Sequence, residues 1–451
     1  MNIAKYKPIL LLCILLAGLS AHPAGMYEAG KLVDPVICKA DPTQSYALYI
    51  PSKGNANPLP IIYFFDPHGS GAFPLNKYRS LADAYGFILA GSNNSKNGND
   101  WSTTERIWQQ LSADTKVRLK IDGSRIYTGG FSGGAKVAGY VAIQHTEIKG
   151  VIAGGAGLPD GVQADNFNFS FTAIAGEGDM NLTELIAISR DLDKTRTRHH
   201  ILFFDGKHEW APAGTMETVF AGLQLDAMLR SLIPKDNTFI DRFAAKGKSR
   251  VGSYSQSNQL VKAEQECQVF MSYLDGLTPA VDWFKTKATS LAGDKAFRQQ
   301  RDALQDLLVY EQNTKLGYMQ HFQQGDPHYW GPVINDLQAK SKSATASGQM
   351  DQRLLAYLSL AFYSLSNRLI VGNNNIEARR FVELYKMADP TNSEAWYFSA
   401  LLSARAGQKQ AAENDLLKAA ECGFTDMNRL RQQPEFQSLD LSGIGRKIHG
   451  R

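Results

Sequence analysis

Cysteine is scarce in this chain. Four occur among 451 residues, at 13, 38, 267 and 422. If a leader carrying Cys13 is removed, three remain, and at most one disulfide can form within the chain. A disulfide-framed scaffold is thereby excluded, and the mature protein must stand on its own core. Zinc-type Cys/His spacing is missing, as is any polybasic run. The 48 basic and 44 acidic residues leave a net charge of only +4, which gives no case for nucleic acid or an anionic membrane as partner. Beyond the N-terminus the sequence offers no apolar run that reads as a bilayer span, so no membrane span is expected after the leader.

What is present is ordinary globular composition, 43% apolar and 20% charged, with length for two or three domains. Lys5 and Lys7 precede an apolar stretch over 9–19, followed by the small residues Ser20, Ala21 and Ala24. That layout predicts a secretory signal peptide over 1–24, and with it an exported, periplasmic or extracellular protein.

From about 45 to 232, short apolar runs alternate with helical patterns. Strands are expected at 46–50, 60–65, 87–90, 125–129, 149–153, 169–175 and 200–204. Helices are expected at 78–85, 104–119, 134–144, 181–192 and 215–232. This alternation predicts an α/β architecture: a doubly wound, mostly parallel sheet with helices on both faces. After Pro234 the texture becomes helical and rich in Ala, Leu, Gln, Lys and Glu. The expected division is a domain over 25–235 and a helical domain over 253–451, with a charged, Gly/Ser-containing boundary at 235–252. A polar loop is expected at 340–348.

A period appears late in the chain. Phe362 and Trp396 are 34 residues apart (396 − 362), as are Ala378 and Ala412 (412 − 378). An aromatic in one helix and a small Ala in the next, at that period, resembles two tetratricopeptide repeats over about 359–426. Tyr385 and Ser403 depart from that pattern.

The chemistry-bearing motif is Gly130-Phe131-Ser132-Gly133-Gly134, placed between an expected strand and an expected helix. A serine on such a strand-to-helix turn projects its hydroxyl at the carboxyl edge of the sheet, and the glycines let neighbouring backbone approach. A serine hydroxyl needs a base. His208, on the loop after the last expected strand, is the candidate; His199 and His200 open that strand at the opposite edge. In chains with this elbow the acid falls between serine and histidine. Asp179 stands 47 residues after Ser132 (179 − 132) and 29 before His208 (208 − 179), with Glu177 as competitor and helix capping as its other role. Backbone N–H groups of Gly133 and Ser70, with Gly69 or Gly71 as alternates, are the candidate oxyanion hole. Asn93 and Asn94, in an Asn-rich loop, and Trp210 are candidate substrate-binding residues.

With His68-Gly69, residues 130–134, Asp179, and His208 followed by Trp210, residues 45–232 resemble the α/β-hydrolase family. Within it they are similar to the exported esterase branch that includes polyhydroxybutyrate-depolymerase-like and feruloyl-esterase-like enzymes, and to dienelactone-hydrolase-like domains. Asp66-Pro67 departs from the apolar residues usual before His-Gly. The resemblance implies a serine hydrolase that cleaves carboxylic esters through an acyl-enzyme, with no cofactor and no metal. It implies a small-molecule or polysaccharide-linked ester as substrate. A protein partner for the helical domain is a further expectation. Two other readings stay open: a serine peptidase of the same fold, and a degenerate hydrolase used as a binding module.

Overall fold

The computed structural model describes residues 27–54, 56–324 and 328–449. The leader expected at 1–24, with Cys13, lies outside them. Among the described residues, eight strands form one sheet: β1 (Leu32–Ile37), β2 (Ser45–Tyr49), β3 (Leu59–Phe65), β4 (Ile88–Ser92), β5 (Ile121–Phe131), β6 (Ile148–Gly154), β7 (Ser170–Gly176) and β8 (His199–Phe204). Their spatial order is β1-β2-β4-β3-β5-β6-β7-β8. The β1–β2 and β2–β4 pairs are antiparallel and every other pair is parallel.

Helices α1 (Ala72–Tyr85), α2 (Trp101–Arg118), α3 (Gly133–Gln144), α4 (Leu182–Leu192) and α5 (Ala213–Leu229) interleave with the strands. Successive strand residues feed opposite faces. Ile62, Phe64, Tyr127 and Ile152 join α1 and α5 in one core, whereas Ile61, Tyr63, Val151 and Phe171 join α2, α3 and α4 in another. A mostly parallel sheet covered on both faces, followed by helices, fits the α/β-hydrolase architecture.

The chain continues as α6 (Asn237–Gln256), α7 (Leu260–Leu274), α8 (Val281–Gly293), α9 (Lys295–Gln324), α10 (Trp330–Lys340) and α11 (Ala346–Val371). It ends with α12 (Asn375–Ala388), α13 (Ser393–Arg405), α14 (Lys409–Glu421), α15 (Met427–Gln432) and α16 (Ser442–His449). The boundary expected at 235–252 is therefore helix. Ile240, Phe243, Ala244, Gly247 and Val251 form its buried stripe, and its charged and Ser residues lie mostly on the other face. That stripe belongs to the same core as α5 and β8, so no linker separates the halves. The contact is close: a Cβ on Gly222 of α5 would meet the Tyr273 ring at 2.2 Å, and one on Gly247 would meet Phe270 at 2.5 Å.

A third apolar core joins α9 to α10–α16 and includes Trp330, Phe362, Val382 and Phe398. α12 begins at Asn375 and α14 at Lys409, again 34 residues apart (409 − 375), and Ala378 and Ala412 are fully buried. The loop expected at 340–348 is shorter, because α11 already begins at Ala346 under a Thr345 cap. Contrary to the expectation of no further span-like run, α11 is long and apolar enough by composition to cross a membrane. Its Leu354, Leu358 and Phe362 are buried in the helical core, and its buried Arg353 pairs with Glu311 of α9. Cys38, Cys267 and Cys422 are free thiols. Burial pushes Cys38 up to about 11 and Cys267 up to about 12, so both stay protonated and unreactive at neutral pH.

Candidate active site

Ser132 sits between the end of β5 and the start of α3 at φ 53° and ψ −124°, backbone angles that a residue with a Cβ adopts only under constraint. The constraint comes from both sides. Its N–H donates to Gly154 O at 2.8 Å, and the flanking glycines let backbone pass where no side chain fits. A Cβ on Gly130 would fall 2.0 Å from Gly134 O, and one on Gly134 would fall 1.9 Å from Phe65 O. Ser132 makes no capping bond to its own helix, so its hydroxyl is turned outward.

That hydroxyl meets His208. Nε2 of His208 lies 3.0 Å from Ser132 Oγ, and Nδ1 lies 2.9 Å from Asp179 Oδ1. Asp179 exposes 1% of its side chain and His208 19%, so the carboxylate is shielded from water while the imidazole edge stays reachable. Phe131 packs against the imidazole with ring centroids 4.6 Å apart. Gly155, at φ 66°, clears the space beside both: a Cβ there would be 3.1 Å from Asp179 Oδ2 and from His208 Cε1. The structure thus brings together the three residues read from chain order. Such an array can move a proton from serine to imidazole while the carboxylate fixes the imidazole tautomer.

Asp179 is not the cap of α4, whose N-cap position is Asn181. Its Oδ1 also accepts from the N–H of Asn181, the residue that opens α4, at 2.8 Å. Glu177 points elsewhere, with its carboxylate on Lys262 and Gln349. The acid and histidine loops are laced together, Glu177 N to Phe204 O and Gly178 N to Gly206 O, both at 2.8 Å. His200 lies among the residues where α7 meets the sheet, hydrogen-bonded to Ser272 and Asp226.

The loop after β3 shows why Asp66 stands where the resemblance leads one to expect an apolar residue. Asp66 is buried, and its carboxylate accepts from His68 N at 2.8 Å and from Trp210 Nε1 at 3.0 Å. Burial works to raise this carboxyl, but the hydrogen bonds from His68 and Trp210 outweigh it and hold it below its usual range. Asp66 therefore ties this loop to the histidine loop. The His68 side chain faces outward, and the Asp66 carboxylate, 3.5 Å from its Nδ1, lifts its imidazole above the ordinary value, with the charge of Glu394 on α13 adding to the effect. Gly69 N is taken by Asp66 O at 3.1 Å and Gly71 N by Asn93 Oδ1 at 3.1 Å. Ser70 N makes only a long 3.4 Å approach to Asp66 Oδ1. Gly133 is the first residue of α3, where no intrahelical acceptor serves its N–H.

The expected substrate-binding residues sit otherwise. Trp210 is buried against Phe64, Tyr78 and Phe131, with its indole N–H on Asp66. Asn93 bonds Gly71, Asp34 and Ser45; Asn94 bonds Ser45 and Thr43. Their amides hold the loops in place rather than facing a ligand. Asn97 of the same cluster is the one beside the elbow: a Cβ on Gly133 would meet its Oδ1 at 1.9 Å. Its position next to Gly133 could not be told from the loop's composition, which makes every Asn in it look alike.

No family model and no curated protein matches the chain. Among solved structures it is similar to a hyperthermophilic esterase from the archaeon Pyrobaculum calidifontis, at 15% identity over 45% of this chain and 86% of that one, TM-score 0.36. It is also similar to a ferulic acid esterase, at 13% identity over 43% of this chain and 95% of that one, TM-score 0.34. A third is the fluorophosphonate-binding serine hydrolase F of Staphylococcus aureus in its substrate-bound form, at 11% identity over 43% of this chain and 98% of that one, TM-score 0.36. The fold stands on the strand order and the Ser132 turn, not on these likenesses.

Proposed function

We propose that the protein is an exported serine hydrolase that cleaves carboxylic esters through an acyl-enzyme. The observation that carries this reading is the Asp179–His208–Ser132 chain at 2.9 and 3.0 Å, on a strained turn at the carboxyl edge of the sheet. Ser132 Oγ attacks the ester carbonyl as His208 Nε2 takes its proton. The tetrahedral oxyanion is held by the N–H groups of Gly133 and Ser70, which the fold leaves least engaged. The carbon–oxygen bond to the alcohol breaks, and His208 returns the proton to that alcohol. Water, deprotonated by the same nitrogen, then releases the acid and restores Ser132. Asp179 holds the imidazole tautomer and stabilises its charged form.

The leader pattern of residues 1–24 supports export to the periplasm or medium. The 34-residue offset and the buried Ala378 and Ala412 support a tetratricopeptide-like reading of α11–α14.

The test is reaction of the purified protein with a fluorophosphonate, followed by intact-mass and peptide mapping. One adduct on Ser132, lost in Ser132→Ala of unchanged melting temperature, is expected. Folded wild-type protein that takes no label overturns the reading.

A further inference from the structure

The loop carrying Asp179 is gripped from the helical half. From α7, Lys262 Nζ reaches Glu177 Oε2 at 2.8 Å. From α11, Gln349 Nε2 donates to the same oxygen at 2.8 Å, and Arg353 donates to the carbonyl of Glu177 at 2.6 Å. From α9, Lys315 Nζ donates to the carbonyl of Met180 at 3.0 Å. Gly178 lies so close to α11 that a Cβ on it would meet Gln352 Oε1 at 2.8 Å.

Arg353 and Lys315 are joined through Glu311, whose side chain is fully buried and pairs with both, 2.7 Å to Arg353 Nε and 2.7 Å to Lys315 Nζ. Burying three charges is costly, and an apolar trio of similar volume often serves stability as well or better. What an apolar trio lacks is directed N–H donors. Here those donors end on two carbonyls, one two residues before Asp179 and one just after it. The apolar packing of α5 against α6 and α7 already joins the halves, so the charged cluster is not needed merely to hold them together.

We infer that the helical half is a positioning element of the active site, with Arg353 and Lys315 bracketing the backbone on either side of Asp179 so that its carboxylate meets His208. The inference rests on the serine-hydrolase reading. Arg353 and Lys315 touch no reacting atom and act through Asp179.

Turnover of p-nitrophenyl acetate by the full chain tests it. Lys315→Met is expected to lower kcat about 10- to 100-fold, the order of effect of a misplaced catalytic group, with KM changed less than about twofold. Lys315→Arg should recover most of that loss. In an Asp179→Asn background the same Lys315→Met should change kcat by less than about twofold, because groups that act through one another are non-additive. Equal fold-losses in the two backgrounds overturn the inference, and so does wild-type kcat in Lys315→Met. If Lys315→Met does not fold, the half-buried pair Lys262→Met and Gln349→Ala carries the same comparison, with an expected loss of about three- to tenfold; no loss overturns it. Wild-type protein that takes no fluorophosphonate at Ser132 would instead overturn the hydrolase reading beneath it.

Discussion

Two loops flank Ser132, and they are anchored to different parts of the molecule. The loop at 66–71 is held from within the sheet half: Asn93 on Gly71, Trp210 on Asp66, and Asn97 N on Pro67 O at 2.8 Å. The loop at 177–180 is held largely from α7, α9 and α11. The lesson is that the proposed acid side and oxyanion side of one site are anchored in different structures, with the histidine loop bonded to both. A perturbation of the helical half should therefore reach the relay and leave the oxyanion side as it was.

The comparison can be broken most sharply at the acid. Asp179→Asn should lower kcat by about 10⁴-fold, since the imidazole is then held in the wrong tautomer, while the melting temperature stays close to wild type. Steady-state turnover beside a thermal melt checks both parts. On the other side, Asp66→Ala strands the Trp210 indole and the His68 N–H. It should cost about 1–3 kcal/mol in urea unfolding, together with a loss in kcat that the Asp179→Asn background does not absorb. Absorption of that loss would merge the two sides into one. Leu416→Ala, in the remote helical core, should cost about 3 kcal/mol in urea unfolding yet leave kcat per folded molecule within about twofold.

Acid sharpens the contrast further. Burial lowers the pKa of His200 against the attraction of Asp226. Asp226 is itself held below the carboxylate range: burial pulls it up, and the hydrogen bond from His200 and the charge of Arg198 outweigh that pull. The unfolded chain therefore binds a proton at His200 more readily than the folded one. This contribution to stability is full above about pH 6.5, the ordinary histidine value, and falls as the pH drops below it. Melts between about pH 7.5 and 5 should show the decline, and His200→Asn should flatten it. At the small end, Ile376 is 86% exposed, and Ile376→Glu should change stability by less than about 0.5 kcal/mol.

Much of this was readable from residue order. The strands of the parallel sheet are short apolar runs, and each lies within a few residues of its expected place. β1 was not expected, because all but one of its residues are exposed or half-exposed and Asp34-Pro35 interrupts it, where its register shifts between Val33 and Val36, so it presents no continuous apolar run. Ser132, Asp179 and His208 could be found because glycine spacing and chain order are one-dimensional signals. The directions of Asn93, Asn94 and Trp210 are not such signals: composition shows that a loop is polar, not where its amides point. The joining of the halves did leave a trace. Among the residues of α5, Val219, Phe220, Ala221, Leu223 and Leu225 are all buried, leaving almost no polar face, and a helix apolar all round needs cover on its outer side. The stripe of α6 that helps supply this cover has helical spacing inside the interval expected as a linker.

The grip of Arg353 on Glu177 spans 176 residues of sequence. A polypeptide emerges from the ribosome N-terminus first. Ser132, Asp179 and His208 have all left it long before α9 and α11 follow. During that interval the strands can pair, but the carbonyls on either side of Asp179 still lack their donors. The proposed relay is thus completed only once α11 has followed, with Arg353 trailing Ser132 by 221 residues (353 − 132).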